Sequence, residues 1–225
     1  MHTKQKQRTL LSGGLLLIGL CSSQNLWAHA SMVDLEKMSQ GAVALLYLQM
    51  GFEHIVPMGL DHILFVLSLF LLSPRLKPIL WQATAFTIAH TVTLGLSMYQ
   101  IINPPAQIVE PLIALSILYV AVENMVSRKL RTSRLVVVFL FGLVHGMGFA
   151  SALGQLGLPQ SSYFSSLLLF NLGVELGQIL VIVLAWLVLA KWFANKPYYR
   201  KLIVMPLSMI IGMVAIYWIV ERLFF

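Results

Sequence analysis

Six apolar runs follow one another along the chain, at about 57–73, 80–102, 107–126, 135–153, 163–190 and 202–220. Each approaches the roughly 20 residues that a helix needs to cross the hydrocarbon of a bilayer. In that medium every backbone polar group must be satisfied inside the protein, so a spanning chain folds as helices or as a closed barrel, and runs of this length select helices. Composition agrees, since 59% of the 225 residues are hydrophobic and only 10% are charged, against about 25% charged in an ordinary soluble domain. The expectation is an all-α polytopic membrane protein, a six-helix transmembrane bundle. Ahead of the first run, residues 41–56 are mostly apolar with Gln49, Glu53 and His54 toward the far end, and Pro57 and Gly59 then break the pattern. This predicts an N-terminal interfacial or re-entrant half-helix hinged at Pro57.

Lys4, Lys6 and Arg8 precede a short apolar stretch over residues 10–20, and Ala28-His29-Ala30 offers small residues where a signal peptidase reads them. The expected plan is a cleaved signal peptide over 1–30, a periplasmic segment and half-helix over 31–56, and a six-span membrane domain over 57–225. Cleavage after Ala28 instead of Ala30, or an uncleaved first span, are the alternatives. With the mature N-terminus outside, the loops after the first, third and fifth spans face the cytoplasm. They carry Arg75 and Lys77, then Arg128, Lys129, Arg131 and Arg134, then Lys191, Lys196, Arg200 and Lys201, whereas the mature outer segments keep only Lys37 and Arg222. This asymmetry follows the positive-inside rule and predicts a bacterial inner membrane with both mature termini periplasmic. It also accounts for the net charge of +7 with no nucleic-acid partner. Cys21 is the only cysteine, so a disulfide within the chain is excluded and any metal must be held by nitrogen and oxygen.

Ionisable side chains in hydrocarbon cost roughly 2.5–3.5 kcal/mol each on insertion scales, so each needs a partner or a task. Asp61, His62, His90, Glu123, His145 and Glu175 all fall inside the apolar runs, and no Lys or Arg does. The acids are then expected to be protonated, hydrogen-bonded or matched by an external cation. Counting about 1.5 Å per residue from the outer ends, Asp61, His62, His90, His145, Asn171 and Glu175 lie between the outer face and the midplane or just past it. Thr87, His90, Thr93 and Ser97 share one helix face, and Asn171, Glu175 and Gln178 follow i, i+4, i+7. Gly146 and Gly148 beside His145 leave room for a neighbouring helix or a ligand. His62, His90 and His145 near Asp61 make a donor set suited to a divalent transition metal; interhelical hydrogen bonding is the alternative. Glu123, with Ser116 and Tyr119 on its stripe and Arg128 beyond the span, reads as a structural anchor.

Six motifs carry a family resemblance. Gly51-Phe52-Glu53-His54-Ile55, Gly59-Leu60-Asp61-His62, Phe86-Thr87-Ile88-Ala89-His90-Thr91-Val92-Thr93-Leu94, Val122-Glu123-Asn124, His145-Gly146-Met147-Gly148-Phe149-Ala150 and Phe170-Asn171-Leu172-Gly173-Val174-Glu175 resemble the HupE/UreJ family of bacterial membrane proteins. The resemblance covers nearly the whole mature chain. It implies a nickel, or cobalt, permease, with His54, Asp61 and His62 matching the family's metal-recognition element, and it links the chain to metalloenzyme maturation.

The expected function is a permease for a divalent transition metal, nickel first, with cobalt, zinc and iron also compatible with the ligands. Glu53 and His54 collect the ion at the outer mouth; Asp61, His62, His90 and His145 replace its water shell; Glu175 relays a proton or completes the site. Uptake is expected to fall below about pH 6 as the histidines charge. An intramembrane zinc hydrolase and a metal sensor or accessory protein are the alternatives. Expected partners are the lipid bilayer, the metal ion, and either a second copy of the chain or metalloenzyme-maturation proteins.

Overall fold

The computed structural model describes residues 38–154 and 163–225. The readings on the signal peptide, its cleavage site, Cys21 and Lys37 lie outside the described residues. Within them the elements are helical: α1 (Gln40–Ile55), α2 (Leu60–Leu72), α3 (Leu76–Met98), α4 (Ala106–Val126), α5 (Ser133–Gly154), α6 (Tyr163–Ala185) and α7 (Met205–Phe224). Helix α6 runs on through a π turn at Trp186–Ala190 to Phe193, and a second π turn, Arg200–Val204, leads into α7.

Local chemistry sets the breaks. Ser39 caps α1 by accepting the Ala42 N–H at 3.3 Å, satisfying a donor that the first turn leaves orphaned. Pro57 lacks an N–H and ends that helix, and α2 leaves the break at 66° to α1. Helix α2 has 13 residues, about 20 Å of rise, too short for hydrocarbon about 30 Å thick. By length and composition, four segments among the described residues can cross a membrane: Leu76–Met98, Ala106–Val126, Phe164–Phe193 and Arg200–Phe224. Counting the bent pair α1–α2 as one broken span gives five, and the apolar part of α5, Ser133–Phe149, is shorter. The second expected run sits four residues early, because Lys77 and Pro78 join the first turn of α3, where Pro78 has no N–H to leave unpaired.

The most extensive packing is α3 on α5, α1 on α6 and α4 on α7, with α2 in the middle touching α3, α4, α6 and α7. Phe65, Val66, Leu69, Phe70 and Leu71 of α2 are buried, which is why so short a helix is held. The half-helix α1 lies along α6 and buries Tyr47 and Ile55; it is a member of the bundle. At Gly146 a Cβ would run into the His90 carbonyl, so α5 approaches α3 closely at the level of that histidine. Gly148 faces the side-chain tips of Ile113 and Val109 on α4.

The basic loops gather at one end. Arg200 donates to the Ser127 and Met125 carbonyls at the end of α4, each at 2.8 Å, and the Tyr199 hydroxyl reaches the Leu71 carbonyl at the end of α2. One expectation is corrected here. Arg134 belongs to α5, is 2% exposed, and pairs with Glu123 at 3.1 Å. The apolar count opened the fourth run at residue 135 and so left this cation in the loop, with Arg128 as the neighbour of Glu123. Arg134 also donates to the Asn124 Oδ1, and the Asn124 amide donates to the Ser68 carbonyl at 2.7 Å. A charge buried this deeply needs both pairing and hydrogen bonds, and this network ties α5, α4 and α2 together.

Candidate metal centre

Asp61 and His62 occupy the first turn of α2, at the end of that helix opposite the basic loops. The acid sits where the helix dipole favours negative charge. Its Oδ1 accepts from the His62 backbone N–H at 2.8 Å and lies 3.0 Å from His62 Nδ1. A carboxylate only accepts, so Nδ1 carries the ring proton and Nε2 presents its lone pair. His90, fully buried on α3, is set in the same way. Asn171 of α6 donates its amide to the Leu167 carbonyl at 2.8 Å, which turns Oδ1 toward His90 Nδ1 at 3.1 Å. The His90 Nε2 is left buried and, among the described residues, without a partner. Such an oriented imidazole, proton on one nitrogen and lone pair on the other, is the arrangement found behind metal-ligating histidines.

The bend after α1 folds His54 back over the start of α2. Its ring lies 4.7 Å from that of His62 and 6.1 Å from that of His90, and its Nε2 is also buried without a partner. His54, His62 and His90 each offer one ligand atom, all within 4.8 Å of one another. The trio expected from the sequence was His62, His90 and His145; the geometry groups His54 with the first two, because depth along a helix carries no information about the fold-back of a neighbouring helix. His145 sits one step away, its ring 4.9 Å from that of His62. Ser116 donates to the Ile113 carbonyl at 2.6 Å and lies 2.9 Å from His145 Nε2. His145 thus meets Ser116 through Nε2 and turns Nδ1 toward His62. Its Nδ1 lies 3.4 Å from the His62 Nε2, within hydrogen-bond reach.

Phenylalanines wall the cluster. Phe149 lies 3.9 Å from the His54 ring and stacks on Phe170, and Phe86 is within 6.0 Å of the rings of His62, His90 and His145. Apolar walls exclude water and strengthen every electrostatic contact inside. Because Asn171 engages the His90 Nδ1, Asn171→Leu is expected to weaken metal binding about 10–100-fold, the usual loss for an orienting partner. Titration calorimetry on protein whose helical circular dichroism is unchanged checks this.

The other polar residues fall in three places. Glu53 accepts from Gln49 at 2.8 Å on the exposed side of α1, outside the trio. Thr87 and Thr84 reach the two carboxylate oxygens of Glu175, Thr84 at 2.7 Å, and Gln178 is fully buried one turn farther along α6. Glu123 stands at the basic end with Arg134. Thr84 and the Ser116–His145 pairing are additions to the sequence reading. Thr84 lies three residues before Thr87 and was visible as one more turn of the same stripe, whereas a Ser paired across helices leaves no mark in one sequence.

Comparison with curated proteins and with solved structures finds no match. A family model described as HupE / UreJ protein matches residues 29–222. With all but the N-terminal 28 residues and the last three inside that match, the chain belongs to the HupE/UreJ family.

Proposed function

We propose that the chain is a permease that takes up a divalent transition-metal ion, nickel first, across a bacterial inner membrane through a six-span bundle with both mature termini periplasmic. The observation that carries this reading is the convergence of His54, His62 and His90 from three helices, with two unpartnered buried ring nitrogens. The HupE/UreJ family is itself associated with nickel and cobalt transport. Neutral imidazole with a nearby carboxylate suits nickel, cobalt, zinc or iron. The basic loops belong on the cytoplasmic side by the positive-inside rule; His62, at the opposite end of α2, then opens toward the periplasm. Asp61 directs its Oδ1 to His62, a supporting role that suits a binding site better than the general base of a hydrolase.

The test is influx into liposomes that enclose a nickel-sensitive dye. Protons and metal compete for the same ring lone pairs, so influx is expected at neutral pH and is expected to fall once the medium is acid enough for protons to take those lone pairs. Binding without influx at any pH would leave a sensor or an enzyme and end the permease reading. Absence of binding would end every metal reading.

A further inference from the structure

We propose that Glu175, Gln178, Thr84 and Thr87 form a second cation station, built from oxygen, between the histidine cluster and the basic end of the bundle. This deepens the permease reading and rests on it. Asn171, Glu175 and Gln178 fall within an arc of about 60° on α6, at about 100° per residue. The contacts of Asn171 with His90 and of Glu175 with Thr84 and Thr87 settle that this arc faces α3. Gln178 lies within the same arc. Along α6 the carboxylate of Glu175 lies about 6 Å, and the amide of Gln178 about 10 Å, beyond the level of Asn171.

Two independent features mark a ligand site. Glu175 brings a carboxylate into the bundle, and among the described residues its partners are two hydroxyls and no Lys or Arg. Gln178 is 0% exposed, yet among the described residues neither its Oε1 nor its Nε2 has a hydrogen-bond partner, an arrangement that costs stability unless something binds there. The Thr87 hydroxyl also lies 3.1 Å from the Ala83 carbonyl. By donating there it can free its lone pairs for a cation. Carboxylate, hydroxyl and amide oxygens hold a late first-row ion less tightly than imidazole does. A weaker station after a tighter one is what passage needs, since an ion must be able to leave each site it enters.

The experiment uses the full chain in nanodiscs, stripped with chelator and titrated with Ni²⁺ alone, beside influx of Ni²⁺ into liposomes. Wild type is expected to bind two ions per chain, one tightly and one about tenfold or more weaker. Glu175→Gln keeps the shape and removes the charge; it is expected to lose the weaker ion and about tenfold or more of the influx. Its tight binding should stay within about twofold of wild type, which also reports that the variant folds. Gln178→Leu is expected to weaken only the second ion. Full influx with both ions retained in Glu175→Gln would overturn the second station and leave the permease reading standing. Failure of wild type to bind or pass Ni²⁺ would overturn both.

Discussion

His90→Ala is expected to abolish tight metal binding, with an affinity loss above about 100-fold, beyond the range seen when only an orienting partner is removed. His90 is fully buried, its Nδ1 is engaged by Asn171, and its Nε2 has no partner other than what enters the cluster. The substitution therefore deletes a ligand whose direction is already fixed. It leaves the packing of α3 on α5 largely in place, because Gly146 meets the backbone carbonyl of residue 90 and the Thr93 hydroxyl, neither of which changes. His145→Ala is the informative contrast. His145 lies outside the trio and meets it through its contact with His62, so its removal should cost less than removal of His90. Calorimetry on chelator-stripped protein ranks the two. Equal losses would place His145 in the primary ligand set, and an unaffected His90→Ala would remove the trio as a metal centre.

Much of this arrangement was legible in the sequence, and the boundary of legibility has physical causes. Runs of apolar residues located the helices, since backbone satisfaction in lipid leaves helices as the outcome for such runs. Helical spacing placed Asn171, Glu175 and Gln178 on one stripe. It could not say that the stripe meets Thr84, Thr87 and His90, because the rotation of one helix against another is decided by packing. Pro57 announced a break after residue 56, but the 66° bend that returns His54 to His62 is a tertiary fact. The Glu123–Arg134 pair was missed for a simpler reason. A hydropathy count ends a span at the first cation, whereas here α5 begins at Ser133 and carries its arginine inward to an acid on α4.

Gly173→Leu should destabilise the bundle and weaken metal binding together, although residue 173 touches no ligand. Helices in lipid gain little from apolar burial against one another, so close backbone approach at small residues holds them. On α6 a Cβ at Gly173 would run into the Leu48 carbonyl and the Phe52 and Gly51 backbone of α1, and on α1 a Cβ at Gly51 would strike the Phe170 carbonyl of α6. Backbone atoms on both sides cannot rotate away as a flexible side-chain tip can. Leucine therefore forces the helices apart, with an overpacking cost of about 1–3 kcal/mol or more. His54 rides on the last turn of α1, whereas His90 is tied to α6 through Asn171. Moving α1 off α6 thus separates one ligand from the other two, and an affinity loss of about tenfold or more should accompany the lower melting temperature. Leu172→Ala is the control, because Leu172 is half exposed on the outer face of the same helix and should change neither quantity. Thermal melts and Ni²⁺ titrations of both variants decide the matter: if Gly173→Leu melts and binds like wild type, α1 does not position His54 by packing against α6.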